Sequence, residues 1–246
     1  MARTSIIGVA MLMAVIGAGA QPAGAQTVRE AKDGEVTFRV TRDTAGPQLV
    51  VQGRGVRVIK RVTRQRVSIR VEAPGDTVQL ETDMSGVATL RRNGKARRLL
   101  MSTPDGERAA QARQVTAGSR AMSAFDTLAL SLTRSERPEA RSLLTSYALM
   151  HAVAGTLAPV PPLAGGAPPL APREGVQLVK AMGREGPEAC WAEYAYSVER
   201  YLTEFETCIQ DWWWNPYVKT ACTFEWAIKS ELAWFWVITC SGGMPV

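Results

Sequence analysis

The chain has 246 residues, 29 Lys/Arg against 23 Asp/Glu, four cysteines, a single histidine and a formal net charge of +6 at pH 7. That length suits one or two domains. A single histidine leaves no histidine-based zinc motif and only His151 for any Ser-His-Asp or Cys-His arrangement.

Residues 1–25 read as a secretory signal. Arg3 is the basic start, Ile6 to Ala18 the apolar run, and Ala23-Gly24-Ala25 the small-residue cleavage pattern, with Ala18-Gly19-Ala20 as a second choice. The run is too short for a good membrane anchor. The expected location is therefore the periplasm or the cell exterior, where four cysteines form disulfides.

Residues 26–101 are expected to form a basic antiparallel β domain, a small sandwich or meander. Val36, Phe38 and Val40 alternate with polar residues, Leu49 to Gln52 is a further candidate, and Val67, Ile69 and Val71 make the clearest strand. Pro74-Gly75-Asp76 marks a turn before Val78 and Leu80, and Asn93-Gly94 is a hairpin signal joining roughly 87–92 to 95–101. Residues 49–101 hold 12 Lys/Arg against 4 Asp/Glu. Arg64, Arg66 and Arg70 share a parity opposite the apolar row, so they should project from one face. Arg92 and Lys95 should face each other across the turn, where like charges repel unless solvated or bound to an anion. One reading is a solvated face that keeps strand edges apart. The other is a site for an anionic polymer, such as envelope polysaccharide, lipid headgroups or extracellular nucleic acid. Nucleic acid is disfavoured, because no aromatic residue is interleaved for base stacking.

Residues 102–158 turn helical. Ala109, Ala112 and Val115, then Met122, Phe125, Leu128 and Leu132, recur at helical spacing, and Gly118 divides them. Pro138 opens a further helix to about Leu157, with Leu143, Leu144, Tyr147, Met150 and Val153 on its apolar stripe. These helices should cover one face of the sheet. No charged residue occurs from Ser142 to Pro172. Ser142, Thr145, Ser146 and His151 interrupt that run, so a buried helix is expected and no transmembrane span after signal cleavage. Residues 159–172, rich in Pro, Ala and Gly, read as an extended linker.

Residues 173–246 hold Cys190, Cys208, Cys222 and Cys240. Eighteen-residue spacings are about five helical turns and about 27 Å of rise, so Cys190 and Cys208 share one helical face, as do Cys222 and Cys240. If both segments are helical, a bond within one arm is out of reach of a disulfide's Cα separation of about 4.4–6.8 Å, and so is the crossed pairing. The nested pairs Cys190–Cys240 and Cys208–Cys222 remain. The expectation is an antiparallel helical hairpin with arms at about 187–213 and 216–240, opened by Pro187 and by Asn215-Pro216, and closed by Ser241-Gly242-Gly243. Numbering symmetry places Tyr194 opposite Trp236 and Tyr201 opposite Lys229. In architecture alone this resembles the hairpins of the coiled-coil-helix-coiled-coil-helix proteins. Those proteins have much shorter cysteine spacings and enter mitochondria, so the resemblance implies no function here.

The hairpin is acidic, with 8 Asp/Glu against 3 Lys/Arg in residues 187–243. Glu193, Glu204, Glu206, Asp211 and Glu225 accompany Trp191 and Trp226, a population from which sugar-handling sites draw acid and base. Trp212, Trp213 and Trp214 at the tip splay through about 200° and cannot all face one core, which suggests a docking tip. His151 on an apolar helix is expected to be packed and hydrogen-bonded. Neither metal nor cofactor is expected. The fold class is α+β. The functional expectation is an exported, non-catalytic structural or binding protein that contacts an anionic envelope polymer or a protein partner. The alternative is a polysaccharide-acting enzyme that uses the hairpin carboxylates.

Overall fold

A computed structural model describes residues 26–43, 46–63, 65–83, 85–156, 187–211 and 216–241. The signal, the linker at 159–172, Arg64 and the Trp212–Trp214 tip lie outside them.

Alternation of apolar and polar residues yields eight strands: β1 (Gln26–Asp33), β2 (Val36–Asp43), β3 (Gly46–Gly53), β4 (Val56–Val62), β5 (Arg66–Ala73), β6 (Asp76–Asp83), β7 (Val87–Arg92) and β8 (Lys95–Leu100). They pair antiparallel in chain order, so the sheet is a meander. Asn93 and Gly94 both have positive φ, 47° and 84°, which the tight turn between β7 and β8 requires. The register aligns the apolar rows: Phe38 faces Val51, Val58 faces Val71, Ile69 faces Leu80, and Leu80 faces Leu90. All of these are buried.

Among the described residues, five helices complete the α+β fold: α1 (Asp105–Thr116), α2 (Arg120–Ser131), α3 (Pro138–Val153), α4 (Pro187–Asp211) and α5 (Pro216–Ser241). Helix α1 lies on β7 and β8, α2 on β4 to β6, and α5 on β3 and β4. Residues 142–153, the start of the uncharged run, form most of α3, which is buried around nearly its whole circumference and packs between α2 and α5. A helix apolar all round belongs in an interior. Among the described residues no helix is long and apolar enough to cross a membrane.

Gly118 divides α1 from α2, and Ser119 caps α2 by accepting from the Met122 amide. Gly155 ends α3 at positive φ, against the Asp105 carbonyl, where a Cβ would lie 2.5 Å from that oxygen. Helix α4 packs on α5, and α5 in turn rests on α3 and the sheet. Cys190 is bonded to Cys240 and Cys208 to Cys222, with Cα separations of 5.8 and 6.1 Å.

Candidate functional site

The densest chemistry lies inside the protein. In β4 the parity that buries Val56, Val58 and Val62 also buries Lys60, which faces Leu49 on one neighbouring strand and Ile69 on the other. An unpaired ammonium there would be prohibitively costly. Three elements supply partners. Glu231 of α5 approaches the Lys60 Nζ at 2.5 Å. The Lys60 ammonium also donates to the Ser142 carbonyl of α3 at 3.2 Å and to the Ser142 hydroxyl. Ser146, one turn along α3, donates to the second Glu231 oxygen at 2.7 Å. The Trp234 ring lies 5.0 Å from the ammonium and meets the Tyr194 ring edge-on at 5.7 Å. Burial lowers the pKa of Lys60, and the Glu231 charge and hydrogen bond work in the opposite direction. Burial also raises the Tyr194 hydroxyl, reinforced by the nearby Glu231 charge.

This cluster is sealed: Lys60 and Glu231 are 1% and 0% exposed. Chain signals for it existed. Lys60 interrupts an apolar row of period two. Glu231 falls on a stripe with Ala227, Trp234 and Ile238, the buried face of α5. A charged residue on such a row is the mark of a buried pair.

The second charged region is the outer face of the sheet, which no described element covers. Arg66 and Arg70 project there, as their parity predicts, and both are exposed. Arg61 shares this face and donates to Gln48 at 2.7 Å. Arg91 and Arg98, opposite Gln79 and Thr89 respectively, extend the row to the last two strands, and both are exposed. Some of the charge is internally compensated. Arg39 pairs with Glu30 at 3.2 Å, and Arg57 and Arg70 share Glu72 at 3.4 and 2.8 Å.

The structure divides the basic residues singled out in the sequence. Arg92 and Lys95 do face each other. Arg92, however, is opposite the core residue Val78, so the pair belongs to the helix-covered side and not to the face of Arg66 and Arg70. The anion beside Arg92 is supplied internally, by Asp76 at 2.7 Å. The same guanidinium donates to the carbonyls of Ala117 at 2.7 Å and Gly118 at 3.2 Å, closing the end of α1. Asp76 also accepts from the Ser119 hydroxyl and the Ala121 amide at the start of α2. Burial of Asp76 opposes ionisation, but the Arg92 and Ser119 hydrogen bonds and the Ala121 amide outweigh it and hold the carboxyl well below the usual carboxylate range.

Two carboxylates of α4 and α5 converge on one lysine. Glu204 and Glu225 both bind Lys229 at 2.8 Å. The Lys229 hydrogen bond lowers the Glu204 carboxyl, and the Glu204 hydrogen bond, followed by that from Glu225, raises Lys229. Glu193, Glu206 and Asp211 are exposed. His151 is packed, its Nδ1 3.1 Å from the Thr156 hydroxyl, while Tyr147 donates to Asp126 beside it at 2.9 Å. Among the described residues no group of His, Cys, Asp and Glu has the arrangement of a metal site.

No protein-family model, curated protein or solved structure matches the chain.

Proposed function

We propose that the chain is an exported, non-catalytic binding protein of the periplasm or cell exterior, whose open sheet face holds an anionic polymer of the cell envelope. The observation that carries this reading is the exposed arginine row across the outer face, Arg66, Arg70, Arg91 and Arg98. Long cationic side chains on an antiparallel sheet face can track a repeating anion without a cleft. The C-terminal helices serve this reading as a disulfide-locked antiparallel hairpin that braces the sheet from behind. A protein partner with an acidic surface would use the same arginines. The enzyme reading lacks support. Its best carboxylates, Glu204 and Glu225, share one lysine, and the lowered Glu204 carboxyl is poorly suited to donate a proton.

The test is retention on immobilised heparin as a polyanion probe. The protein should bind at low salt and elute at moderate salt, because exposed charges are screened over about 8–10 Å at physiological ionic strength. Replacing Arg66, Arg70, Arg91 and Arg98 by Glu should abolish retention, while Glu204→Gln with Glu225→Gln leaves it unchanged. Undiminished retention of the folded four-site variant would sink the proposal.

A further inference from the structure

The arginines of the outer face do not form a uniform positive field, because carboxylates stand among them at fixed register positions. Arg70 of β5, Gln79 of β6 and Arg91 of β7 lie in one row across the sheet, so a neutral side chain separates the two guanidinium groups. Two strand spacings set their backbones roughly 9.5 Å apart. Arg98 of β8 lies opposite Thr89, two residues before Arg91, which makes it a diagonal neighbour of Arg91 at roughly 7–8 Å. Acidic residues flank this line. Glu81 is two residues from Gln79 on the same face of β6 and accepts from its amide at 2.9 Å. Glu72 is two residues from Arg70 on the same face of β5 and binds both Arg57 and Arg70. Farther along β6, Asp83 lies opposite Arg66, and hydrogen bonds from Ser85 hold its carboxyl below its ordinary value.

We infer that these interleaved carboxylates make the outer face a charge-density filter: the polymer it takes is an acidic polysaccharide with one carboxylate per disaccharide, and phosphate-rich chains are turned away. The inference rests on the binding reading proposed above and names the polymer class for that same face. A sparsely charged chain sets one anion on Arg70, passes Gln79 with neutral sugar, and sets its next anion on Arg91. A strand of nucleic-acid type carries a phosphate about every 3.4 Å along its axis. About two further phosphates of such a chain would fall between Arg70 and Arg91, beside Glu81 and Glu72, where like charges repel. Discrimination of this kind needs a built-in repulsive element as well as an attractive one, and the acidic residues of β5 and β6 supply it. The outer positions of β7 and β8 carry Arg91 and Arg98 with Val87, Thr89, Ala96 and Leu100, none of them acidic, so the filter lies where the polymer crosses β6.

The experiment titrates three labelled polymers with the full chain, read by fluorescence anisotropy at one fixed salt concentration. Unsulfated chondroitin has one carboxylate per disaccharide, chondroitin 4-sulfate doubles the charge on the same backbone, and inorganic polyphosphate is charged at every unit. Chondroitin should bind at least as tightly as its sulfate, and polyphosphate about tenfold more weakly, the scale of two like-charge contacts at a surface. Glu72→Gln with Glu81→Gln should strengthen polyphosphate about tenfold and chondroitin by less than about threefold. The filter is overturned if affinity follows charge density, if heparin binds and chondroitin does not, or if the two Gln changes strengthen all three polymers equally, the mark of net charge alone. The variant with Arg66, Arg70, Arg91 and Arg98 replaced by Glu should lose all three. Binding that survives those four changes, or no binding of any polymer by the parent chain, overturns the face itself. Binding that vanishes with the arginines but follows charge density overturns the filter and leaves the face.

Discussion

Helix α5 carries two lysine–glutamate sites only two residues apart in sequence, and they differ in almost everything but chemistry. Residues 229 and 231 are about 200° apart around a helix. Lys229 therefore faces outward, 36% exposed in its side chain, between Glu204 and Glu225. Glu231 faces inward, 0% exposed, against Lys60. Outside, water solvates either partner when the other is removed. Inside, no solvent is available, and both charges depend on Ser142, Ser146 and each other. An exposed pair adds little to stability. A buried pair is costly to assemble and far costlier to break, because the survivor is left charged and unsolvated.

The comparison is tested most sharply at Glu231. Glu231→Gln should lower unfolding free energy by about 3–5 kcal/mol, read by urea denaturation at pH 7. The double change Lys60→Met with Glu231→Leu removes both charges and should be close to neutral or stabilising, despite touching the same atoms. pH adds a second signature. Burial already lowers the Lys60 pKa, and without Glu231 nothing of comparable strength opposes it. A lysine with a depressed folded pKa binds fewer protons folded than unfolded. The stability of the Gln variant should therefore rise with pH from the folded Lys60 pKa up to about 10.4, the unfolded value. A loss below about 1 kcal/mol at pH 7 would place the buried pair in the same class as the exposed one.

Why the exposed site was visible in the sequence and the buried one was not follows from how each is encoded. Glu204, Glu225 and the aromatics announce themselves by composition. Lys60 and Glu231 announce themselves only by phase. Strand β4 runs Val56, Val58, Lys60, Val62 on its inner parity with Arg57 and Arg61 outside, so its charge content obscures its alternation. The better strands, β5 among them, have no such intruder. The cysteine pairing was legible for the same reason as β5: period and symmetry constrain it. Packing was not, because what α5 rests on depends on which of its faces meets the sheet, and Glu231 decides that only once Lys60 is known to point inward. Arg92 shows the converse case. Its position opposite Lys95 is legible from the turn, but the partner that makes it internal, Asp76, lies one strand away.

Asp76 tests the ground between the extremes, since its carboxylate is nearly buried while Arg92 is 21% exposed. Asp76→Asn should cost about 2 kcal/mol at pH 7, the scale of hydrogen bonds to a charged group, and should loosen the junction of α1 and α2. The sign with pH is fixed by the lowered carboxyl. Its contribution is present above the unfolded value of about 3.9 and is lost as pH falls toward the depressed folded pKa. The gap between parent and variant should therefore be widest near neutrality and close progressively below about pH 4. A gap that stays constant in acid would mean that the side chain acts through shape and not through charge.

The smallest effect is expected at Lys229, which is as richly paired as Lys60. Lys229→Ala breaks contacts to two carboxylates at 2.8 Å and removes a cation near Tyr201. It leaves Glu204 and Glu225 on a wet helix surface, where water replaces the ammonium. The loss should stay below about 1 kcal/mol and shrink further at high salt, measured by the same urea titrations at low and high ionic strength. A loss approaching that of Glu231→Gln would show that Lys229 bears on the packing of α4 against α5, and that exposure alone does not separate the two sites.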